Sequence, residues 1–320
     1  MDRRTFLQVS SVAGVGSLKL LAQTPMPMIT LGKTGMRVSR IAVGGWDMSL
    51  TSDEIGVGVV QRAFELGVNF FDSAHTYNDG RSDEIYGKAI DKGRRQKLHL
   101  MSKSRNRSAE GAMQELEDTL RKMNTDHLDL WQCHSVSTQE EVDQILAPKG
   151  SLEAFVKAKQ QGKVLHIGFS GHHDPAVHQR LLNAFDGWET IQHPVNLVDP
   201  HYESFIRNVL PKARAKGLGC LAMKTNAMGG ITKARVATIE ECLRFAWSQP
   251  VDVVISGMQT VQQLEQNVLT CKTFQKMTDQ EISELLARTR KGPVGTQVET
   301  YKKAPPGSAA HRVHEDGEPA

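Results

Sequence analysis

Four side chains with complementary acid–base chemistry stand at or just beyond the ends of apolar runs: Asp72 after VNFF, Tyr77 five residues further on, Lys103 closing LHLMSK and His134 closing LDLWQCH. The steps from Asp72 to Lys103 and from Lys103 to His134 are 31 residues each. A phenol has a pKa of about 10 in water and is a weak acid at neutrality. An ammonium within about 4–6 Å favours the phenolate and lowers that value. An Asp beside the Lys keeps it charged and aimed, and a His near the phenol orients a carbonyl or shares its proton. Gathered together, the four would protonate a developing alkoxide or deprotonate an alcohol. Taken singly each has a plainer role: a turn cap, a loop aromatic, a solvated charge, a polar strand end.

Elements of one recurring kind must position them. Apolar runs fit strands at Ile41–Gly45, Asn69–Ser73, Leu98–Lys103, Leu128–His134, Val164–Ser170, Thr190–Asn196, Leu218–Lys224 and Val251–Gly257. Between them helical spacing covers Asp53–Leu66, Ser82–Asp91, Ser108–Lys122, Leu152–Gln161, Ala176–Asn183, Tyr202–Lys216, Ile239–Gln249 and Val261–Thr270, with Ser, Thr or Asp before and Gly after several of them. Near-continuous apolar strands alternating with helices indicate a parallel sheet covered by helices. Eight repeats predict an α/β fold, a closed (β/α)8 TIM barrel. An open dinucleotide-binding sheet needs GxGxxG in its first turn, and VGGWDMS lacks it. In a barrel the strand ends converge on one face, so Ser170, Gln192, Lys224 and Ser256 join the same ring. A β-hairpin is expected at Met28–Ser39, and one more helix at Met277–Arg290. Residues 26–290 form the barrel domain in this reading, and the Pro/Gly/charge-rich 291–320 form a polar, partly disordered tail.

The chain has 320 residues and a formal charge of +3, with Lys and Arg scattered, which gives no footprint for nucleic acid. Cys133, Cys220, Cys242 and Cys271 show no CxxC pairing and read as buried thiols. The start is different. Paired Arg3 and Arg4, then Phe6-Leu7 and a weakly apolar Val9–Gln23, resemble a twin-arginine export signal over residues 1–25, which implies the twin-arginine machinery as a partner and a periplasmic or exported location, or a cytoplasmic one if the signal is inactive.

The stretches LGKTGMRVSRIAVGGW, FFDSAHTYNDGRSDEIYGKAI, LMSKS, LDLWQCH, GKVLHIGFSGH, IQHPVNL and ISGMQTVQQLEQNV resemble the aldo/keto reductase superfamily in order and spacing, from about Met28 to Thr270. The resemblance implies hydride transfer between a nicotinamide cofactor and a small-molecule carbonyl (aldehyde, ketone or sugar). Asp72, Tyr77, Lys103 and His134 would be the catalytic set, with Tyr77 as general acid. It also implies that Ser170 and Gln192 hold the nicotinamide carboxamide. The family's Asn beside the Ser is Gly171 here, with His172 or Asn196 as substitutes. Met223 and Lys224 occupy the place of a stacking aromatic, and Lys224 lies near the pyrophosphate with Gly229 and Gly230. Gly257, Met258 and Gln263 stand where basic or hydroxyl groups meet a 2′-phosphate, while Glu265 and Asn267 match positions that hold the adenine. Family habit favours NADPH (NADP), and the missing basic group leaves NAD as the alternative. Trp46, Trp131, His166, His172 and His201 are candidate lining residues.

Two other readings stand beside it. The histidines of GHHDP, with His166, His193 and Cys133, suggest a metal-dependent hydrolase, but the first strand has no HxH. A barrel kept only as a binding module would be expected to lose Tyr77 or Lys103, and both are present.

Overall fold

The computed structural model describes residues 21 and 23–303. Arg3, Arg4 and the rest of the expected export segment up to Leu20 lie outside the described residues. Eight parallel strands close into a barrel: β3 (Ile41–Gly44), β4 (Phe70–Asp72), β5 (His99–Ser104), β6 (Leu128–Cys133), β7 (Val164–Ser170), β8 (Thr190–Pro194), β9 (Gly219–Met223) and β10 (Val253–Gly257). Closure is made by β10 on β3, with Val254 opposite Ile41 and Gly257 opposite Gly44. The hairpin β1 (Met28–Thr30) and β2 (Arg37–Ser39) is antiparallel, as expected. Its Leu31 and Val38 pack with Ala42, Phe70, Met101, Leu130 and Leu221 in one cluster inside the barrel. The hairpin turn also donates from the Lys33 amide to the Gly217 carbonyl (2.8 Å), which precedes β9. The hairpin therefore plugs the end at which the strands begin, and the opposite end is left for chemistry.

Inward-facing residues fill the barrel, and a larger apolar layer lies between strands and helices. That layer fixes each strand from outside, which is what aims the polar residues at the strand ends.

The expected helices appear with shifted bounds. Tyr202–Lys216 is instead two short helices, Phe205–Asn208 and Leu210–Ala215. Pro211, whose nitrogen carries no hydrogen, cannot continue the ladder of the first one. A helix at Gln139–Leu146 was not expected. Its capping box, in which the Thr138 hydroxyl accepts from the Glu141 amide and the Glu141 side chain from the Thr138 amide, is its sequence signature. The helix expected to end at Arg290 spans Asp279–Arg290. After it the chain does not leave the barrel. Residues up to Lys303 pack in two 3-10 turns, Gly295–Gln297 and Thr300–Lys302, and form a strap across the mouth. Among the described residues no helix is long and apolar enough to cross a membrane.

Candidate active site

Lys103 organises the mouth of the barrel. It ends up with 1% of its surface exposed, which for a lysine demands partners. Its Nζ touches Asp72 Oδ1, the Ser73 carbonyl (2.7 Å) and the Tyr77 hydroxyl oxygen (3.2 Å). An ammonium has three N–H groups, and here three acceptors receive them. The Tyr77 oxygen is thus an acceptor toward Lys103, so its own proton is free to point elsewhere.

The loop that delivers Tyr77 is held from below. The Ser73 hydroxyl bonds Asp83 (2.5 Å) and Ser82 (2.7 Å), and Thr119 donates to the other Asp83 oxygen (2.8 Å). The Tyr86 hydroxyl lies 3.1 Å from the Val43 carbonyl and 3.2 Å from that of Asp72, tying β3 to β4. Gly45 lets this happen, since a Cβ there would sit 2.1 Å from Ser82 Oγ and 2.7 Å from the Asp72 carbonyl. Sequence reasoning missed Ser73, Asp83, Thr119 and Tyr86. The acid and Ser at the start of the helix Arg81–Ala89, right after a buried strand, were the available signal.

The Tyr77 ring lies edge-on between Trp46 (centroids 5.6 Å apart) and His134 (5.5 Å). His134 follows β6, and its Nδ1 is 3.3 Å from the Thr76 hydroxyl. Its other ring nitrogen has no protein partner among the described residues. Burial first, and then the Lys103, His172, Arg105 and Arg107 charges, hold this imidazole well below its ordinary pKa, so it is neutral.

The electrostatics correct one expectation. Tyr77 is not pre-ionised by Lys103. Burial, followed by the Asp72 and Asp47 carboxylates, pushes the phenol well above its ordinary value. Burial is the main reason, and Lys103 does not offset it because it spends its charge on Asp72: a close ion pair presents little net field to the phenol. Burial also works against both members, raising Asp72 and lowering Lys103, and each is the other's main compensation. The resting Tyr77 is a neutral hydroxyl, a proton donor.

A cavity of about 1170 Å³ opens beside these groups. It brings together the four residues above with Ser170, Gln192, Met223, Lys224, Gly257, Gln263 and Asn267. Ser170 and Gln192 are 1% exposed. Gln192 Nε2 lies 3.7 Å from the Met223 sulfur, and its Oε1 has no partner. Ser170 Oγ accepts from the Ser135 amide (3.3 Å) and makes only a 3.5 Å contact with the Cys133 carbonyl. A primary carboxamide offers two N–H donors and one acceptor. An orphaned amide oxygen and a spare hydroxyl on the cavity wall fit it. These residues therefore suit a nicotinamide.

Gly171 has a local cause. A Cβ at this position would lie 2.4 Å from His178 Nε2 and 2.5 Å from the Val136 carbonyl. His178, fully buried, occupies the space a larger residue would need. His172 stays on the cavity wall, whereas Asn196 is turned into the strap, donating to Glu299 (2.9 Å) and Tyr301 (3.0 Å).

Other expectations are not met. Glu265 does not line the cavity. Its carboxylate accepts from Arg62 Nε (2.9 Å) on the outer helix Asp53–Glu65. Asn267 remains inside, donating to Ser256 Oγ (3.1 Å), and Gln263 Oε1 accepts from the Gln259 amide (2.8 Å). Of the lining candidates, Trp46 and His172 are in place. Trp131 instead stacks on Phe155 (3.9 Å) outside the barrel, His166 pairs with Glu189 (2.7 Å) and His201 lies 3.0 Å from the Thr289 hydroxyl. Trp131 faces outward because strand side chains alternate sides, His166 stands near the start of β7, at the barrel's other end, and His201 is carried away in the turn after β8. Among the described residues no three His, Cys, Asp or Glu gather as metal ligands, and His173 Nδ1 lies 3.4 Å from the Tyr301 carbonyl.

Tyr301, from the strap, was not foreseen as a wall of this site. Its ring meets Lys224 Nζ (5.0 Å to the centroid) and His172 (centroids 5.5 Å), and its hydroxyl donates to Glu299 (2.7 Å). Behind it Lys302, fully buried, bridges Asp199 (3.0 Å) and Glu299 (2.7 Å).

The arrangement has relatives. Residues 40–241 match the model of the aldo/keto reductase family. The chain is 30% identical to an uncharacterized oxidoreductase of Bacillus subtilis, YrpG, over 85% of this chain and 98% of that protein. It is 26% identical to L-galactose dehydrogenase of Arabidopsis thaliana, over 82% and 94%. In three dimensions it resembles an aldo-keto reductase of Bacillus halodurans in its holo form, with a TM-score of 0.70, 24% identity, and 86% and 99% of the two chains covered. An aldo-keto reductase of Klebsiella pneumoniae solved with NADPH gives a TM-score of 0.68 at 23% identity, over 86% and 98%. With the barrel, the cavity and these relatives in agreement, this chain belongs to the aldo/keto reductase family and is an NAD(P)-dependent oxidoreductase.

Proposed function

We propose that the enzyme interconverts a carbonyl compound and its alcohol, with Tyr77 as the general acid and base. The observation that carries this reading is the threefold donation of Lys103, which leaves the Tyr77 proton unspent at the cavity wall. The bound nicotinamide supplies or accepts the hydride. The protein's own residues do the rest. Tyr77 O–H gives its proton to the carbonyl oxygen as that oxygen gains charge. Lys103, already in contact with the phenol oxygen, steadies the phenolate that remains. Asp72 keeps Lys103 charged and aimed. Neutral His134 holds the carbonyl oxygen in line without competing for the proton.

Ser170 and Gln192 would hold the carboxamide, Asn267 and Gln263 would hold the adenosine end, and Lys224 would meet the pyrophosphate. NADPH is the favoured partner, in keeping with the relative solved with it. NADH is the second reading, favoured by one observation: Gly257, Gln259, Gln263 and Gln266 line their side of the cavity without a Lys or Arg among them.

The test is tryptophan fluorescence of the full chain during separate NADPH and NADH titrations, with Tyr77→Phe alongside. Trp46, on the cavity wall, is the reporter. Wild type is expected to be quenched at micromolar cofactor. Tyr77→Phe is expected to bind equally and to lose carbonyl reduction by about 10²–10⁴-fold. Quenching by neither dinucleotide, or full turnover by Tyr77→Phe, would overturn the reading.

A further inference from the structure

The charges on the cavity wall do not balance, and the surplus has a place. Asp47 and Asp72 are its acids, and Lys103, Arg105, Lys224 and Lys233 its bases. Lys103 is consumed by Asp72. Lys224 and Lys233 both follow β9, Lys233 reaching back to Gly229, on the side assigned above to the pyrophosphate. Arg105 is different. It lies two residues beyond Lys103, past the end of β5. Its backbone amide is taken by Glu115 (3.0 Å), but its guanidinium has no ion-pair or hydrogen-bond partner among the described residues. Its near neighbour Arg107 is paired, its guanidinium donating to the His134 carbonyl (2.8 Å) and to Glu141 (3.0 Å).

Two polar groups on the next strand ends stand with it on the wall. Ser135, after β6, is a non-glycine residue at φ +52°, a conformation that costs free energy and gathers at functional sites. Its hydroxyl lies 3.4 Å from His172 Nε2, and His172, after β7, has a buried Nδ1 with no partner. Burial first, and then Lys224 and His173, with Arg105 adding least, hold His172 down to about 3, and the Arg105 charge also reaches His134. Arg105 follows the end of β5, whose Ser104 carbonyl accepts from the His134 amide (2.8 Å), so the cation sits on the proton-transfer side of the cavity with Lys103 and His134.

Resting on the carbonyl-reductase reading above, we propose that the substrate is an anionic carbonyl compound whose carboxylate or phosphate is held by Arg105, with Ser135 and His172 completing the subsite. A planar guanidinium binds such groups through two parallel hydrogen bonds, and a neutral imidazole and a hydroxyl can each add one donor without adding charge.

The experiment compares matched aldehydes on the full chain: 4-carboxybenzaldehyde against 4-methylbenzaldehyde, and glyceraldehyde 3-phosphate against glyceraldehyde. Wild type is expected to favour the charged member of at least one pair by tenfold or more in kcat/KM, chiefly through KM, and the advantage shrinks with added salt. The pair that shows it distinguishes carboxylate from phosphate. In Arg105→Gln that ratio is expected to fall toward one, and Arg105→Lys to recover part of it. A wild-type ratio near one in both pairs, with the neutral aldehydes turned over, overturns the anionic substrate while leaving the reductase intact. A ratio unchanged in Arg105→Gln overturns the role of Arg105. If cofactor binds and no aldehyde of either pair is reduced, the reductase reading fails and this inference fails with it.

Discussion

The two sides of the cavity are built by different means. On one side Asp72, Lys103 and His134 sit at or just past the ends of three neighbouring strands, β4, β5 and β6, and Lys103 has an acceptor for each of its three N–H groups. On the other side the chain beyond β9 is irregular. Lys224, Ala227 and Met228 all have positive φ without being glycine, and Met228 is 59% exposed. This side is braced from outside the barrel by the strap at 291–303. The proton-transfer side is thus fixed by sheet register, which cannot shift without moving the core. The ligand side is fixed by a clasp whose partners, Asp199 and Lys302, lie 103 residues apart in the chain. Chemistry needs placement to a fraction of an ångström, whereas a cofactor site must also let its ligand in and out.

The largest effect that would test this contrast is at the clasp. Among the described residues Lys302 is the single cation paired with Asp199 and Glu299, and all three side chains are fully buried. Lys302→Met would leave two carboxylates without it. Removing one partner of a buried pair costs about 3–5 kcal/mol. The lower end is expected, because Asp199 keeps the Ser204 hydroxyl (2.7 Å) and the Phe205 and Ile206 amides (3.0 Å each). Urea unfolding measures it. A loss under about 1 kcal/mol would mean that the strap melts apart from the barrel, and the contrast drawn above would be wrong about what holds the ligand side.

The same contrast explains what the sequence made legible. Asp72, Tyr77, Lys103 and His134 are readable because a parallel barrel converts apolar runs of even spacing into a ring of strand ends, so that position along the chain becomes position in space. Ser170 and Gln192 follow by the same rule. Glu265 does not, because it lies on a helix, where one residue's error turns a side chain by about 100° and a nearby Arg62 decides which face wins. Tyr301 and Lys302 were illegible for another reason. YKKAPPGS has the composition of a solvated tail, and only long-range partners, Asn196 and Asp199, hold Tyr301 and Lys302 in place. The expected lowering of the Tyr77 pKa failed first because burial disfavours the phenolate, and then because charge was counted without its counter-charge: the Asp72 and Asp47 carboxylates push the phenol up while Lys103 is paired with Asp72.

A smaller effect is expected at Gly171, on the border between the two sides. Restoring a longer amide there, Gly171→Asn, would drive a Cβ against His178 and the Val136 carbonyl. Overpacking of this kind costs about 1–3 kcal/mol, and a backbone carbonyl cannot turn aside as a side chain can. The double change with His178→Ala should recover only part of the loss. Tighter cofactor binding by Gly171→Asn at unchanged stability would show that the site has room for the amide after all, and that Gly171 is not dictated by its packing.

The smallest effect is the sharpest in sign. Burial holds Lys224 down to about 8, with Asp47 opposing the shift and Lys103 adding to it. The cationic form is therefore present below pH 8 and is lost as pH rises through it. If Lys224 meets the pyrophosphate, dinucleotide affinity falls between pH 7 and pH 9, by at most about tenfold per pH unit for one proton. Binding must then also take up a proton above pH 8, because the bound anion restores the charge that burial removed. Lys224→Met should bind more weakly at pH 7 and show a flat profile. Lys103 cannot produce the same slope at this pH while its ammonium is committed to Asp72, Ser73 and Tyr77. A wild-type Kd equal at pH 7 and pH 9 would remove Lys224 from the pyrophosphate and, since the charge count on the cavity wall depends on that assignment, would return it to the substrate side beside Arg105.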